Sequence, residues 1–165
     1  LLIQFIELLS AHGEMLQEGY QKAFSLSPPA KVNRGENYKG FPYLVMDYPR
    51  IFSTEHVFAF RSLFWWGHFF SCTLHLKGDF LKDFADRIPL IVDLASKSDI
   101  QIRYSIKGNE WNHDALSSEY ADLQNLSLNE KMNFLKLSSI LPLTEINKLQ
   151  AFLDRSHELL LRPLL

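Results

Sequence analysis

The chain has little of what marks most catalytic or exported domains. Cys72 is the only cysteine, so no disulfide can form within the chain, and secretion into an oxidising compartment is not required. The six histidines form none of the close pairs that bind zinc, and neither a nucleotide-binding glycine loop nor a GxSxG hydrolase sequence occurs. We therefore expect no metal, no cofactor and a cytoplasmic location.

Charge of one sign and long apolar runs are also scarce. The net charge is −2 and no run of basic residues occurs, so we expect no nucleic-acid partner. The most apolar stretch, residues 58–78, is interrupted by Arg61, His68, His75 and Lys77, whereas a membrane span needs about 20 mostly apolar residues. Because the chain opens with Leu1 rather than Met, we expect a processed start or an upstream segment.

Apolar and aromatic residues, in contrast, are abundant. Hydrophobic residues make up 47% of the 165 residues, and thirteen of them are Phe. Seven Gly and seven Pro are too few for a disordered chain of this composition. The sequence predicts one globular domain over residues 1–165 with enough apolar area for a substantial core.

Apolar residues at helical spacing predict four helical regions. They are residues 1–25, ended by Pro28; residues 79–96, split or kinked at Pro89; a helix from the capping box of Ser127 and Glu130 to about Ser138; and a last helix from Thr144 to near Pro163.

Alternation and β-rich composition predict about four strands. Residues 42–48 form a short strand closed off by Pro49, and residues 100–107 alternate strictly between apolar and polar side chains. Residues 57–76 predict a hairpin that turns near Trp66-Gly67, with a long buried helix as the alternative. Residues 30–40 are interpreted as a polar loop. The fold class is therefore α+β, a mostly antiparallel sheet with helices packed on it.

Strand parity divides the hairpin into two faces. The even-numbered residues are mostly Phe, Leu and Cys, and we expect them to face the helices. The odd-numbered residues include Arg61, Ser71, Thr73 and His75, and Asp47 joins them if the preceding strand pairs alongside.

The polar face around Asp47, Arg61 and His75 is the first candidate site. An arginine binds a carboxylate or phosphate with two hydrogen bonds, and a carboxylate beside a histidine holds it in one tautomer for proton transfer. The alternative is an Asp–Arg pair satisfied within the sheet, with His75 partly exposed.

Two loops are further candidates. Arg34 and Tyr38 lie in a polar segment between glycines, which we interpret either as a source of ligand-binding groups or as an ordinary connector. The sequence WNHD places His113 near the carboxyl group of Asp114, although we interpret this segment as a solvated loop. Trp65 and Trp66 form either an exposed patch for a partner or part of the packing under a terminal helix.

Residues 34–78 resemble the central block of an uncharacterised bacterial protein family. The similar features are a GxNYxGxPYLxxDYPR segment followed by an FAFRxxFWWGxFF segment. The resemblance implies a bacterial, cytoplasmic protein, and it carries no assigned activity, cofactor or functional residue.

Two functions remain open on this basis. The first is a non-enzymatic binding or interaction domain, because core material is ample and no catalytic constellation is complete. The second is a small-ligand binder or enzyme that uses Asp47, Arg61 and His75 with Arg34 and Tyr38. The apolar ends of the chain, LLIQFIELL and HELLLRPLL, further predict a homodimer, with packing of the two terminal helices on each other as the alternative.

Overall fold

The structure is a computed structural model that describes residues 2–128 and 131–165, and a seven-stranded antiparallel sheet is its centre. The strands occur in the spatial order β1-β2-β3-β4-β7-β5-β6. Their bounds are β1 Lys31–Tyr38, β2 Phe41–Phe52, β3 Val57–Trp65, β4 Phe69–Lys77, β5 Gln101–Ser105, β6 Ala121–Asp122 and β7 Phe134–Pro142. The helices are α1 Leu2–Tyr20, α2 Asp79–Asp83, α3 Ile88–Ser96 and α4 Leu149–Leu160.

The α+β class and the antiparallel sheet are confirmed, but the prediction of about four strands was wrong. The three additional strands are β1, β6 and β7. Residues 30–40 were expected to form a loop, yet most of them form β1, whose main chain pairs with β2 from Lys31↔Asp47 to Gly35↔Tyr43. At Gly35 a Cβ would lie 2.1 Å from Cζ of Tyr43, so glycine is required there because an aromatic ring packs over the edge strand.

The predicted helix through Ser138 is also wrong, since Phe134–Pro142 is strand β7. Glu130, one half of the predicted capping box, lies outside the described residues. Eight of the nine β7 residues are buried because this strand pairs with β4 on one side and β5 on the other. A strand buried on both faces has a continuous apolar run, which periodicity alone does not distinguish from a buried helix.

The predicted hairpin is confirmed. β3 and β4 pair from Val57↔Lys77 to Trp65↔Phe69, and the turn between them contains Gly67 at φ +73°. The register of β2, β3, β4 and β7 places the even-numbered apolar residues of the hairpin on one face. They are all buried in the main core with residues of the helices: Phe58, Phe60, Phe64, Phe70, Cys72, Leu74 and Leu76. We call this the helix face.

The helices follow the predicted regions with shorter bounds. α1 ends at Tyr20, and the second region divides between α2 and α3, with Pro89 in the first turn of α3. β2 continues past Pro49 to Phe52, with a register shift between Asp47 and Arg50. Trp66 packs on Phe5 of α1 with ring centroids 6.4 Å apart, as the packing alternative expects. Trp65 is fully buried, but in a core on the opposite face of the sheet and not under a terminal helix. Among the described residues, no helix is long and apolar enough to cross a membrane.

Candidate functional site

A row of polar residues crosses the face of the sheet that lies opposite the helix face. Residues directly opposite each other on paired strands share a face, and the register places five of them in one line. We call these five the polar row: Asp47 on β2, Arg61 on β3, Thr73 on β4, Ser138 on β7 and Arg103 on β5.

Asp47 and Arg61 form the strongest ion pair of the row. Arg61 donates from Nε to Asp47 Oδ1 at 2.7 Å and from Nη2 to Oδ2 at 2.8 Å, which is the two-bond geometry that arginine forms with a carboxylate. Arg61 Nη1 lies 2.9 Å from His113 Nε2. Because a guanidinium only donates, His113 accepts through Nε2 and carries its proton on Nδ1. Burial, then the charges of Lys136 and Arg61, hold the pKa of His113 well below its usual value.

Residues 106–120, which we call the cover segment, lie over this face of the sheet. Ala115 and Tyr120 are buried with Val45, Leu63 and Trp65 in a second, smaller core. The segment has almost no regular structure, so its main-chain groups need partners from elsewhere.

Cationic side chains of the sheet supply those partners. Arg103 donates to the carbonyl oxygens of Ala115 and Tyr120, at 2.7 Å each. Lys136 Nζ donates to the carbonyl oxygen of Asn112 at 2.5 Å. The cover segment is therefore held on the sheet by charge-assisted hydrogen bonds.

Lys136 on β7 and His75 on β4 lie opposite each other, two residues along the strands from Ser138 and Thr73 of the polar row. Both are almost fully buried. Burial, and then the charge of Arg61, lower the pKa of Lys136 to about 7. Burial also lowers the pKa of His75, to about 3, and the charges of Lys136 and Arg61 act in the same direction.

The predicted site residues separate into two groups. Asp47, Arg61 and His75 share the cover-segment face, and Tyr38 joins them because its hydroxyl donates to Asn112 Oδ1 and accepts from the main-chain N–H of His113. Arg34 does not join them. It pairs in register with Leu44, a helix-face residue, and its guanidinium bonds Glu36 at 2.7 Å in solvent. The expectation that His75 is partly exposed was wrong, because the cover segment and β7 bury it.

Sequence reasoning missed Lys136, Asn112 and Glu110, and it named His113 only as part of a loop. The sequence WNHD was expected to be solvated, but Asn112 and His113 contact the sheet and its polar row. Lys136 was assigned to a helix, so its strand parity with His75 was hidden. The proximity of a histidine and a carboxylate in WNHD was the one available signal.

A cleft opens at the end of the same face, where β4 meets α2. Its volume is about 1120 Å³, and it lies between the turn at Thr54–Glu55, α2, the first part of the cover segment and the residues that precede β7. The apolar part of its lining is Leu81, Ala85, Trp111, Leu128, Met132 and Phe134. At Gly78, which has φ +65°, a Cβ would lie 2.3 Å from the carbonyl oxygen of Glu55, so glycine is required to join α2 to this wall.

The inner end of the cleft is polar and connects to the buried pair of His75 and Lys136. Lys77 and Phe134 lie opposite each other at the ends of β4 and β7. They are two residues along the strands from His75 and Lys136 and lie on the same face. Lys77 Nζ donates to Glu110 Oε1 at 2.8 Å, and Glu110 Oε2 lies 3.5 Å from His75 Nε2, a long distance for a hydrogen bond. Among the described residues, Glu110 Oε2 and His75 Nε2 have no hydrogen-bond partner.

The potentially reactive groups of these strands are buried or hydrogen-bonded. Cys72 is buried on the helix face and its pKa is raised to about 11 by burial, so it is a poor nucleophile. No group of three His, Cys, Asp or Glu side chains in residues 2–128 and 131–165 is placed to hold a metal ion. In the polar row, Arg61 binds Asp47 and His113 of the cover segment, and Arg103 binds main-chain carbonyl groups of that segment.

Comparison of the chain with protein-family models, with curated proteins and with solved structures finds no match. The resemblance of residues 34–78 to an uncharacterised bacterial family stays a prediction, and the site is interpreted from its own geometry.

Proposed function

We propose that this protein is a non-enzymatic binding domain that takes a small amphipathic molecule in the cleft between α2 and the cover segment. The observation that carries the proposal is the size and lining of this cleft. Its volume of about 1120 Å³ is just above the usual range for small-molecule sites, and its lining combines apolar side chains with polar ones, among them Thr54, Lys77, Glu110 and Asn133.

The aromatic residues of the cleft support a ligand with an apolar body. Trp111 is 44% exposed, whereas Phe134 is buried at the floor. An exposed indole loses contact with water when an apolar ligand covers it, which stabilises the bound state by about 25 cal/mol for each Å² covered. The sheet supplies a rigid floor, because Lys77 and Phe134 are held in register on neighbouring strands.

Pairing of the charged groups supports a non-enzymatic function. Lys77 is engaged by Glu110, and Arg61 by Asp47 and His113. A general acid or base needs a free position beside the reacting group. In this arrangement the titratable groups stabilise the fold and the wall of the cleft.

A thermal-shift screen of small acids, bases and neutral amphiphiles tests this function. A compound that binds in the cleft raises the unfolding temperature in proportion to RT ln(1 + [L]/Kd). Ala85→Trp should abolish the shift, because the exposed Ala85 lines the cleft and an indole there would fill it. The matched control is Ala11→Trp at an exposed position of α1 that does not line the cleft. Equal shifts in both variants would contradict the proposal.

The second function, a ligand-binding or catalytic site around Asp47, Arg61 and His75 with Arg34 and Tyr38, stays a prediction. It requires the cover segment to leave the sheet, because Asp47 and His75 are buried beneath it. Its support is the set of lowered pKa values at Lys136, His75 and His113, which is typical of functional sites as well as of buried ion pairs. A ligand-induced shift that Arg61→Ala removes and Ala85→Trp preserves would favour it.

Homodimerisation is a further proposal, now with less support from the C-terminal leucines. Ile3 is 70% exposed and Leu165 is 52% exposed, which leaves apolar surface at both ends of the described chain. However, Leu159, Leu161 and Leu164 are buried within the chain itself. Light scattering should give a dimer mass at high micromolar protein, and Ile3→Lys should restore the mass of 19.2 kDa. A mass of one chain at every concentration would contradict the dimer.

The cytoplasmic location, the bacterial source and the absence of a nucleic-acid partner stay predictions from the sequence. Fractionation of the native host and a gel-shift assay would test them.

A further inference from the structure

The inner end of the cleft holds one cation with unused bonding capacity. Lys77 is the last residue of β4, and its side chain is only 21% exposed. Its ammonium group has three N–H donors, and the side chain of Glu110 is its one hydrogen-bond acceptor among the described residues. Lys77 lines the cleft, so a ligand carboxylate can replace water at its remaining donors and form a charge-assisted hydrogen bond.

The acidic group beside Lys77 is oriented away from the cleft. Glu110 Oε1 accepts from Lys77, and Oε2 lies against His75 Nε2 at 3.5 Å. The carboxylate is therefore neutralised on one side and directed into the sheet on the other. Glu55, the other carboxylate of the lining, is 84% exposed, so Lys77 is the charged group that a ligand meets at the inner end of the cleft.

The rim of the cleft adds a second positive group. Lys82 on α2 lines the cleft, and its side chain is 80% exposed. Its contact with Asp79 is a long one at 3.4 Å, which is worth little at the surface. Lys82 can therefore turn towards an anion as it enters.

We infer that the cleft binds an amphipathic carboxylate whose carboxyl group accepts a hydrogen bond from Lys77 and whose apolar body lies against Leu81, Trp111 and Phe134. This inference rests on the proposed function and adds the chemical class of its ligand. No bond is made or broken, and the ligand leaves as it entered.

Calorimetric titration with three probes of matched shape tests the class of ligand: phenylbutyrate, phenylbutanamide and phenylbutylamine. They share the apolar body and differ in carrying a carboxylate, a neutral amide or an ammonium group. At pH 7 the carboxylate should bind about ten-fold more tightly than the amide, because a charge-assisted hydrogen bond is the stronger one. The ammonium probe should bind more weakly than the amide.

Two variants of the same ion pair distinguish recognition by Lys77 from a structural role. Lys77→Met should weaken phenylbutyrate binding about ten-fold and leave phenylbutanamide unchanged, which also shows that the cleft is intact. Glu110→Gln breaks the same ion pair but keeps the ammonium and frees it, so phenylbutyrate should bind as well as or better than before. A Lys77 that acted only through the ion pair would make the two variants behave alike.

Three outcomes would overturn the inference. They are equal affinity for the carboxylate and the amide, tighter binding of the amine, and no binding of any probe. Equal affinity that Ala85→Trp abolishes would leave the proposed function standing while removing the carboxylate from it. Failure of the proposed function has a different signature, since shifts in the thermal screen would then be the same for Ala85→Trp and Ala11→Trp.

Discussion

The two faces of the sheet are built from alternate residues of the same strands, yet they are filled by different chemistry. On the helix face, Phe60 and Leu74 pair across β3 and β4 and are buried under regular helices. On the other face, Arg61 and Thr73 pair one residue further along, under the irregular cover segment.

The difference follows from the main-chain hydrogen bonds that the segments covering each face require. A helix makes its own main-chain hydrogen bonds, so apolar side chains are sufficient beneath it. An irregular segment buried on a sheet leaves carbonyl oxygens without partners, and each of them needs a donor. Arg103 and Lys136 meet that need at Ala115, Tyr120 and Asn112. The polar side chains of this face therefore supply the hydrogen-bond donors that the main chain of the cover segment needs.

The largest effect is expected on the helix face. Phe60→Ala should lower the free energy of unfolding by about 4 kcal/mol, because the side chain is fully buried and its removal leaves a cavity. Urea denaturation at pH 7 measures this change. Phe52→Ala is the matched control at a side chain that is 42% exposed, and it should cost about 1 kcal/mol or less. Equal losses would show that the helix face is not the main core.

A smaller loss is expected from the ion pair of the polar row. Asp47→Ala should lower the free energy of unfolding by about 3 kcal/mol, because it leaves the guanidinium of Arg61 buried without its carboxylate. Asp122→Ala is the control on β6, the strand beyond Arg103. Its carboxylate is 60% exposed and lies 3.7 Å from Arg103, so about 0.5 kcal/mol or less should be lost. Similar losses at the two positions would contradict a buried, structural Asp47–Arg61 pair.

The next effect concerns pH, and one buried histidine on each face serves to test it. Burial lowers the pKa of His75 to about 3 and that of His12, on the helix face, to about 4. The unfolded chain binds these protons near pH 6.5, so stability is full above pH 6.5 and falls as the pH decreases towards the folded pKa values.

At pH 5 each of these two histidines should therefore account for about 2 kcal/mol of lost stability relative to pH 7. Urea denaturation of His75→Gln at the two pH values should show a loss smaller by that amount. The same change at His12 tests the helix face. An undiminished loss in both variants would mean that other groups cause the acid sensitivity.

The sequence was sufficient for the hairpin's part of the helix face and insufficient for β7 and for the other face. Alternation in residues 57–76 predicted the hairpin, its turn at Gly67 and the burial of Phe60 and Phe64, because apolar residues report directly on a core. The same parity predicted that Asp47, Arg61 and His75 share a face.

The cover over that face was not predictable in the same way. Hydrogen bonds from Lys136 to the main chain of Asn112 depend on tertiary position and leave no periodic pattern in the sequence. β7 was mistaken for a helix because burial on both faces removes alternation. With β7 misassigned, neither the pairing of Lys136 with His75 nor the floor of the cleft was visible.

Ligands should bind in the cleft at the end of this face and leave the polar row undisturbed. Chemical-shift mapping of the amide groups during titration with phenylbutyrate tests it most directly. We expect perturbed amides at Lys77, Gly78, Leu81 and Lys82, at Asn109–Trp111 and at Met132–Phe134, all of which line the cleft. Perturbations concentrated instead at Asp47, Arg61 and His113, with the cleft amides unmoved, would contradict it.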